Sequence, residues 1–167
     1  MPNAASLIEW FALFILTTSL IAAALSDAAT YLIPNRYSAA IVLAFFLYAI
    51  GKPMAFTLEG LLVGFGMFVG GAIFFARGMI GGGDAKLMAA CGLWAGSDQI
   101  VLLLLTSAVA GGVLALAQLS PLGHLLPARP GGGPVATDLR SKLRQPMPFG
   151  VAVAFGGICV GLARLVS

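Results

Sequence analysis

Two aspartates stand out in a chain that otherwise avoids charge: Asp27 in "LIAAALSDAATYLIPN" and Asp84 in "GMIGGGDAKLM". Apolar residues flank both, and a carboxylate within reach of hydrocarbon is expensive enough to point to function by default. Two such groups at one depth suit acid–base work on a single water. The ionised one takes a proton from the water, and the protonated one donates to a carbonyl under attack. Two carboxyls at one centre titrate as a coupled unit. Each residue also has a plainer reading. Asp84 ahead of an apolar run is a favourable N-cap. Asp27 reads as an interfacial or capping residue, although a carboxylate near a helix C-terminus meets the negative end of the dipole. Gly81, Gly82 and Gly83 are poor helix formers, useful where another chain must approach the backbone closely.

The elements that would position these residues are membrane helices. Of the 167 residues, 60% are hydrophobic and 9% charged, and the mean hydropathy is +1.02. A soluble domain carries about 25% charged residues, so the chain reads as an all-α, polytopic integral membrane protein forming one domain over 1–167. Spans need roughly 20 apolar residues, fewer where the bilayer is thin, and six are predicted: 7–28, 37–50, 56–76, 84–95, 99–119 and 148–166. The first 20 residues hold no Lys or Arg, unlike a secretory signal, so the first span is expected to be retained.

With the N-terminus outward, Arg36, Arg77, Lys86, Arg129, Arg140, Lys142 and Arg144 fall on the inner side, and only Lys52 and Arg164 on the outer. That asymmetry predicts both termini outside. It also puts Asp27, ending an inward helix, and Asp84, beginning an outward one, in the same inner half of the membrane. A helix over 84–95 rises only about 18 Å against a hydrocarbon core of about 30 Å, so Asp84 and its glycines should lie below the inner surface. Irregular backbone at that depth survives only when buried in protein or lining a wet cavity.

Other residues narrow the function classes. The net charge of +3 is too small and scattered for a nucleic-acid partner. Cys91 and Cys159 lie in separate apolar segments without metal-ligand spacing, so neither metal nor cofactor is expected. The segment over 120–147, with "PARPGGGP" and "DLRSKLR", reads as a flexible inner loop that touches anionic headgroups. Gly60, Gly64, Gly66, Gly70, Gly157 and Gly161 are expected to form small faces for helix packing in lipid. Asp98 reads as an N-cap, Glu9 and Glu59 as water-facing, and His124 as a lone loop residue. Lys86 either meets a neighbouring carboxylate or an anionic substrate group, or snorkels to headgroups. Pro34 and Asn35 are expected to build the turn after the first helix and so orient Asp27.

Taken together, "GGGD" (81–84) followed by Lys86, "DAATYLIPN" (27–35) and "PMPFGVA" (146–152) resemble, in order, three motifs of the type IV prepilin peptidases, the GxGD intramembrane aspartyl proteases. Residue by residue, Asp27 and Asp84 match the two catalytic aspartates. Gly81 and Gly83, around Gly82, match the motif glycines, and Pro148 and Gly150 the start of the last helix. The resemblance implies cleavage, after a glycine, of the basic leader of a prepilin just before its hydrophobic helix. It places the reaction at the cytoplasmic face of the inner membrane, with the glycines letting a substrate strand lie beside Asp84. The absence of a cysteine cluster and of an extra inner domain resembles the short Flp/Tad-type forms, or archaeal preflagellin-processing relatives, without N-methyltransferase activity. The alternatives are a small proton-coupled transporter and a non-enzymatic pilus or secretion assembly subunit.

Overall fold

A computed structural model describes residues 4–120 and 147–166. They form α1 (Ala4–Thr30), α2 (Asn35–Ala49), α3 (Met54–Ala76), α4 (Gly82–Leu119) and α5 (Phe149–Val166). Four of the five, α2 excepted, are long and apolar enough to cross a membrane. Where six helices are predicted, five are found, because the fourth and fifth predicted segments are joined as the 38-residue α4. The join is not a straight helix. Gly96, with φ 56° and ψ −165°, sits in a region of backbone space that side-chain-bearing residues avoid, and the chain turns there. No proline separates the two arms, so helical hydrogen bonding resumes on both sides of the glycine.

The contacts show that the turn is a reversal. In the first arm, methyl groups placed at Gly157 would touch Cys91, and Arg164 hydrogen-bonds the carbonyls of Trp94 and Ala95, so this arm runs alongside α5 in the same direction. In the second arm, Leu103 and Ser107 crowd Gly156, and Gly111 faces Phe149 and Ala152, so it runs back along α5. Helix α1 is antiparallel to α5, with Leu16 at Gly161, Leu20 at Gly157 and Asp27 at Gly150. The six predicted helical segments are thus present in five helical elements, four of them candidate membrane spans.

One end of the bundle is marked by paired charges. Glu9 bonds Lys52 at 2.9 Å, and Arg164 holds both oxygens of Asp98 at 2.9 Å. Asp98 therefore acts as an ion-pair partner rather than as the predicted N-cap, and Glu59 accepts a hydrogen bond from Ser97 at 3.0 Å. Asp27 lies at the opposite end. From Glu9 to Asp27 the helix rises about 27 Å, close to the thickness of a hydrocarbon core.

The interior is apolar and centred on Trp94, whose indole N–H reaches the Ile41 carbonyl at 3.1 Å beside the rings of Phe45 and Tyr48. Leu16, Leu20, Leu87, Leu103, Val153 and Val160 complete it. Outside, Phe14, Leu43, Leu62, Phe65, Val109 and Phe155 are exposed, far more apolar surface than water tolerates and fitting for lipid. Helix α3 packs through Gly60, Gly64 and Gly71, its only buried residues. Gly66 and Gly70 face open space, contrary to the predicted stripe. At about 100° per residue both are rotated off the packed face, Gly66 by about 120–160° and Gly70 by about 80–120° from Gly60 and Gly64. Most of the predicted 120–147 loop, including His124, Arg129, Arg140, Lys142 and Arg144, lies outside the described residues.

Candidate active site

Asp27 stands three residues before the end of α1, where its own helix offers the unfavourable pole of the dipole. The side chain is 4% exposed and turns away from that pole to the start of α5, where the backbone N–H groups of Gly150 and Val151 hydrogen-bond it. These are the second and third residues of α5, the donors that an N-cap side chain would normally satisfy. The residue before α5 is Pro148, which has no such side chain, so Asp27 caps α5 from another helix. The positive end of the α5 dipole then favours the carboxylate.

Gly150 is required by this arrangement. A methyl group there would stand 2.8 Å from Asp27 Oδ2 and would overlap Ile33 Cδ1. Ile33 belongs to the turn between α1 and α2, and its other side fills the notch at Gly83, where a methyl group would lie 3.0 Å from Ile33 Cβ. One isoleucine is therefore wedged between the starts of α4 and α5, against two glycines. It is the part of the site that the sequence reading missed, although it stands inside the quoted "DAATYLIPN".

The α1–α2 turn itself is tightly built. Tyr31 has φ +55°, uncommon for a bulky residue, and its N–H bonds the Asp27 carbonyl at 2.8 Å, ending α1 in a left-handed cap usually given to glycine. Ser26 Oγ donates to the Leu32 carbonyl at 2.9 Å. Burial and the nearby Asp27 charge push the Tyr31 phenol above its ordinary range. Pro34 precedes α2, and Asn35 is its first residue. Asn35 Oδ1 accepts from Lys86 Nζ at 3.0 Å across 51 residues of sequence. Lys86 is thus tied to the turn through one hydrogen bond, a contact that neither of its two sequence readings includes.

Asp84 is not the N-cap of α4. The helix begins at Gly82, with Gly81 in the capping position, and Asp84 is the third helical residue. Its carboxylate reaches back to the Gly81 N–H, one half of a capping box. A methyl group at Gly81 would lie 2.8 Å from Asp84 Oδ2. The triplet thus has three separate environments: Gly81 makes room for Asp84, Gly83 for Ile33, and a methyl group at Gly82 would lie 3.3 Å from the Phe75 ring. The space a side chain would take at each glycine is bordered by the protein's own side chains. The segment follows a Schellman turn closing α3, with Gly78 at φ +70° and Gly78 N–H to Phe75 O and Met79 N–H to Phe74 O.

The outcome is two carboxyl groups, from helices 57 residues apart in sequence, that interact electrostatically at one end of the bundle. Each is held by backbone amides and each keeps one buried oxygen, Asp27 Oδ2 and Asp84 Oδ1, without a hydrogen-bond partner among the described residues. Two oriented carboxyls with unused acceptor positions can bind and activate one water. Among the described residues no group of three His, Cys, Asp or Glu side chains comes together as a metal site.

Residues 14–116 match the sequence model of the type IV leader peptidase family. The match spans both aspartates, the α1–α2 turn and the glycine triplet, and stops before α5. No curated protein and no solved structure matches the chain.

Proposed function

The chain belongs to the type IV leader peptidase family, and from that premise we propose that Asp27 and Asp84 are its catalytic pair. The family implies an aspartic-type peptidase that removes the leader peptide of prepilins. The observation that supports the assignment is the pair of free carboxylate oxygens, one from α1 and one from α4, at the same end of the bundle. In the reading we favour, one carboxylate takes a proton from water as its oxygen attacks the scissile carbonyl. The other, protonated, donates to the carbonyl oxygen. Collapse of the tetrahedral intermediate breaks the C–N bond, and the leaving amine takes up a proton from the pair.

Gly81, Gly83, Gly150 and Ile33 act as positioning residues in this scheme, since each touches a carboxylate or the wedge between them. Pro34, Asn35 and Lys86 brace the turn that carries Ile33, while Gly82 and Pro148 shape the starts of α4 and α5. The asymmetry of basic residues supports a cytoplasmic location for the aspartate end, where a basic leader would remain before cleavage. A short form of the Flp/Tad type acting without methyl transfer is the finer reading, supported by the wide separation of Cys91 and Cys159 in sequence. A proton path across the membrane is poorly supported. Besides Asp27, the buried polar residues are only Ser19, Ser38 and Ser107 among the described residues, and the far-end charges Glu9 and Asp98 are ion-paired.

The test is co-expression with prepilins carrying a basic leader, with N-terminal sequencing of the product. Asp27→Asn and Asp84→Asn keep shape and remove acid–base capacity, and each alone should abolish cleavage while the protein still inserts. Full processing by either variant would overturn the assignment.

A further inference from the structure

Helices α2 and α3 meet at the end of the bundle away from the aspartates, where Gly60 lies against the Phe45 ring, and they diverge toward the aspartate end. Between them is a groove of about 440 Å³ with Ala89 and Leu93 of α4 as its floor. Its walls are apolar, among them Val42, Phe46, Leu61 and Phe65. Polar groups occur only at the aspartate end, where Asn35, Ser38 and Lys86 line the mouth. Lys86 and Ala89 lie on the opposite side of α4 from Asp84, at 100° per residue, so the groove is separate from the carboxylate pair.

We propose that this groove holds one acyl chain of an anionic phospholipid, with the headgroup phosphate on Lys86. Three observations define the occupant. The groove runs from Asn35 to Phe46 along α2, a rise of about 16 Å. That is half of a hydrocarbon core of about 30 Å, the reach of one leaflet. It is closed beyond that depth by Phe45 against Gly60, so a transmembrane helix about 10 Å across cannot lie along it. The mouth is cationic: Lys86 is exposed and gives one hydrogen bond to Asn35, out of three donors on an ammonium. A basic leader is repelled there, and a phosphate is attracted.

Native mass spectrometry on the full chain, released from vesicles with equal phosphatidylglycerol and phosphatidylcholine of identical chains, tests this. The expected result is one retained lipid per chain, with phosphatidylglycerol favoured about fivefold, the gain of one lysine beside an anionic lipid. Lys86→Gln should keep the adduct and lose the preference. Ala39→Phe, from an exposed groove-wall position, should lose the adduct altogether. Leu61→Trp, filling the groove from α3, should do the same and serves if Ala39→Phe fails to insert. Retention in the vesicle ratio, or filled-groove variants that hold the lipid as well as the parent, would overturn the proposal. So would displacement of the lipid by a peptide with a basic leader and apolar helix, which assigns the groove to substrate.

Discussion

Gly150 offers the sharpest test of how the site is built, because two physical effects pull in opposite directions there. Alanine in place of glycine inside a helix gains up to about 1 kcal/mol of helix propensity, so Gly150→Ala should stabilise α5 if nothing else mattered. The added methyl would, however, lie 2.8 Å from Asp27 Oδ2 and 3.1 Å from its Cγ, and would overlap Ile33 Cδ1. To regain ordinary contact near 3.4 Å, the carboxylate must retreat by roughly 0.6 Å. Overpacking of this kind costs about 1–3 kcal/mol, so net stability should fall by no more than about 3 kcal/mol and the protein should still insert.

The effect on rate should be larger. The retreat moves Asp27 off the Gly150 and Val151 amides, and Ile33 passes the shift to Gly83 at the start of α4. A misplacement of about 1 Å costs on the order of 100-fold, so a shift of this size predicts a loss of roughly 10- to 100-fold in kcat/KM. The assay is initial-rate cleavage of a leader-bearing prepilin in liposomes, with thermal melting of the same samples. Gly66→Ala, where the methyl meets nothing within 4 Å, is the control and should cleave at the parent rate. Normal cleavage by Gly150→Ala at normal stability would show that Asp27 does not depend on the close approach of α5.

The glycine triplet should show graded sensitivity: Gly81→Ala and Gly83→Ala should each lower cleavage by about tenfold or more. Gly82→Ala, which meets only the edge of the exposed Phe75 ring, should cleave better than either. Arg164→Gln should lower thermal stability by about 1–3 kcal/mol, because the Trp94 and Ala95 carbonyls at the α4 reversal lose their donor. Asp98→Asn, at an exposed partner, should cost under about 1 kcal/mol. The Glu9 hydrogen bond holds Lys52 above the ordinary lysine value of 10.5. The contribution of that pair should therefore be complete below pH 10.5 and disappear only as the pH climbs past the raised value. Comparing Lys52→Met with the parent in melting curves should show a difference of roughly 0.2–1 kcal/mol at neutral pH, shrinking in strong alkali.

Both aspartates, the glycine triplet and the Pro34–Asn35 turn were legible in the sequence because each breaks a rule of apolar composition or helix propensity within a few residues. What was not legible depends on partners distant in the chain. Asp84 reads as an N-cap because nothing local shows that α4 starts at Gly82. The tie between Lys86 and Asn35 spans 51 residues. Gly96 reverses the chain without a proline, so the two helices that the sequence predicts follow one another with only that glycine between them. The four-residue glycine spacing in α3 is real, but two interleaved series exist, and only packing distinguishes Gly60 and Gly64 from Gly66 and Gly70.

The dipole objection to Asp27 has a structural answer that also explains why three distant motifs act together. A carboxylate near the C-terminal end of α1 is disfavoured by its own helix, yet it accepts two amides from the positive end of α5. A charge-assisted bond of this kind contributes about 1.5–3 kcal/mol, against about 0.3–1 kcal/mol for the unfavourable pole, so α5 decides where the carboxylate points. Asp84 is held by the Gly81 amide at the start of α4, again a helix N-terminus. Both carboxyls therefore sit at positive helix ends, and Ile33, lodged against Gly83 and Gly150, sets the spacing of those ends. Enlarging Gly83 or trimming Ile33 to alanine should then misalign the pair without touching a carboxylate, which is why the glycines and the Ile-Pro-Asn turn behave as one device.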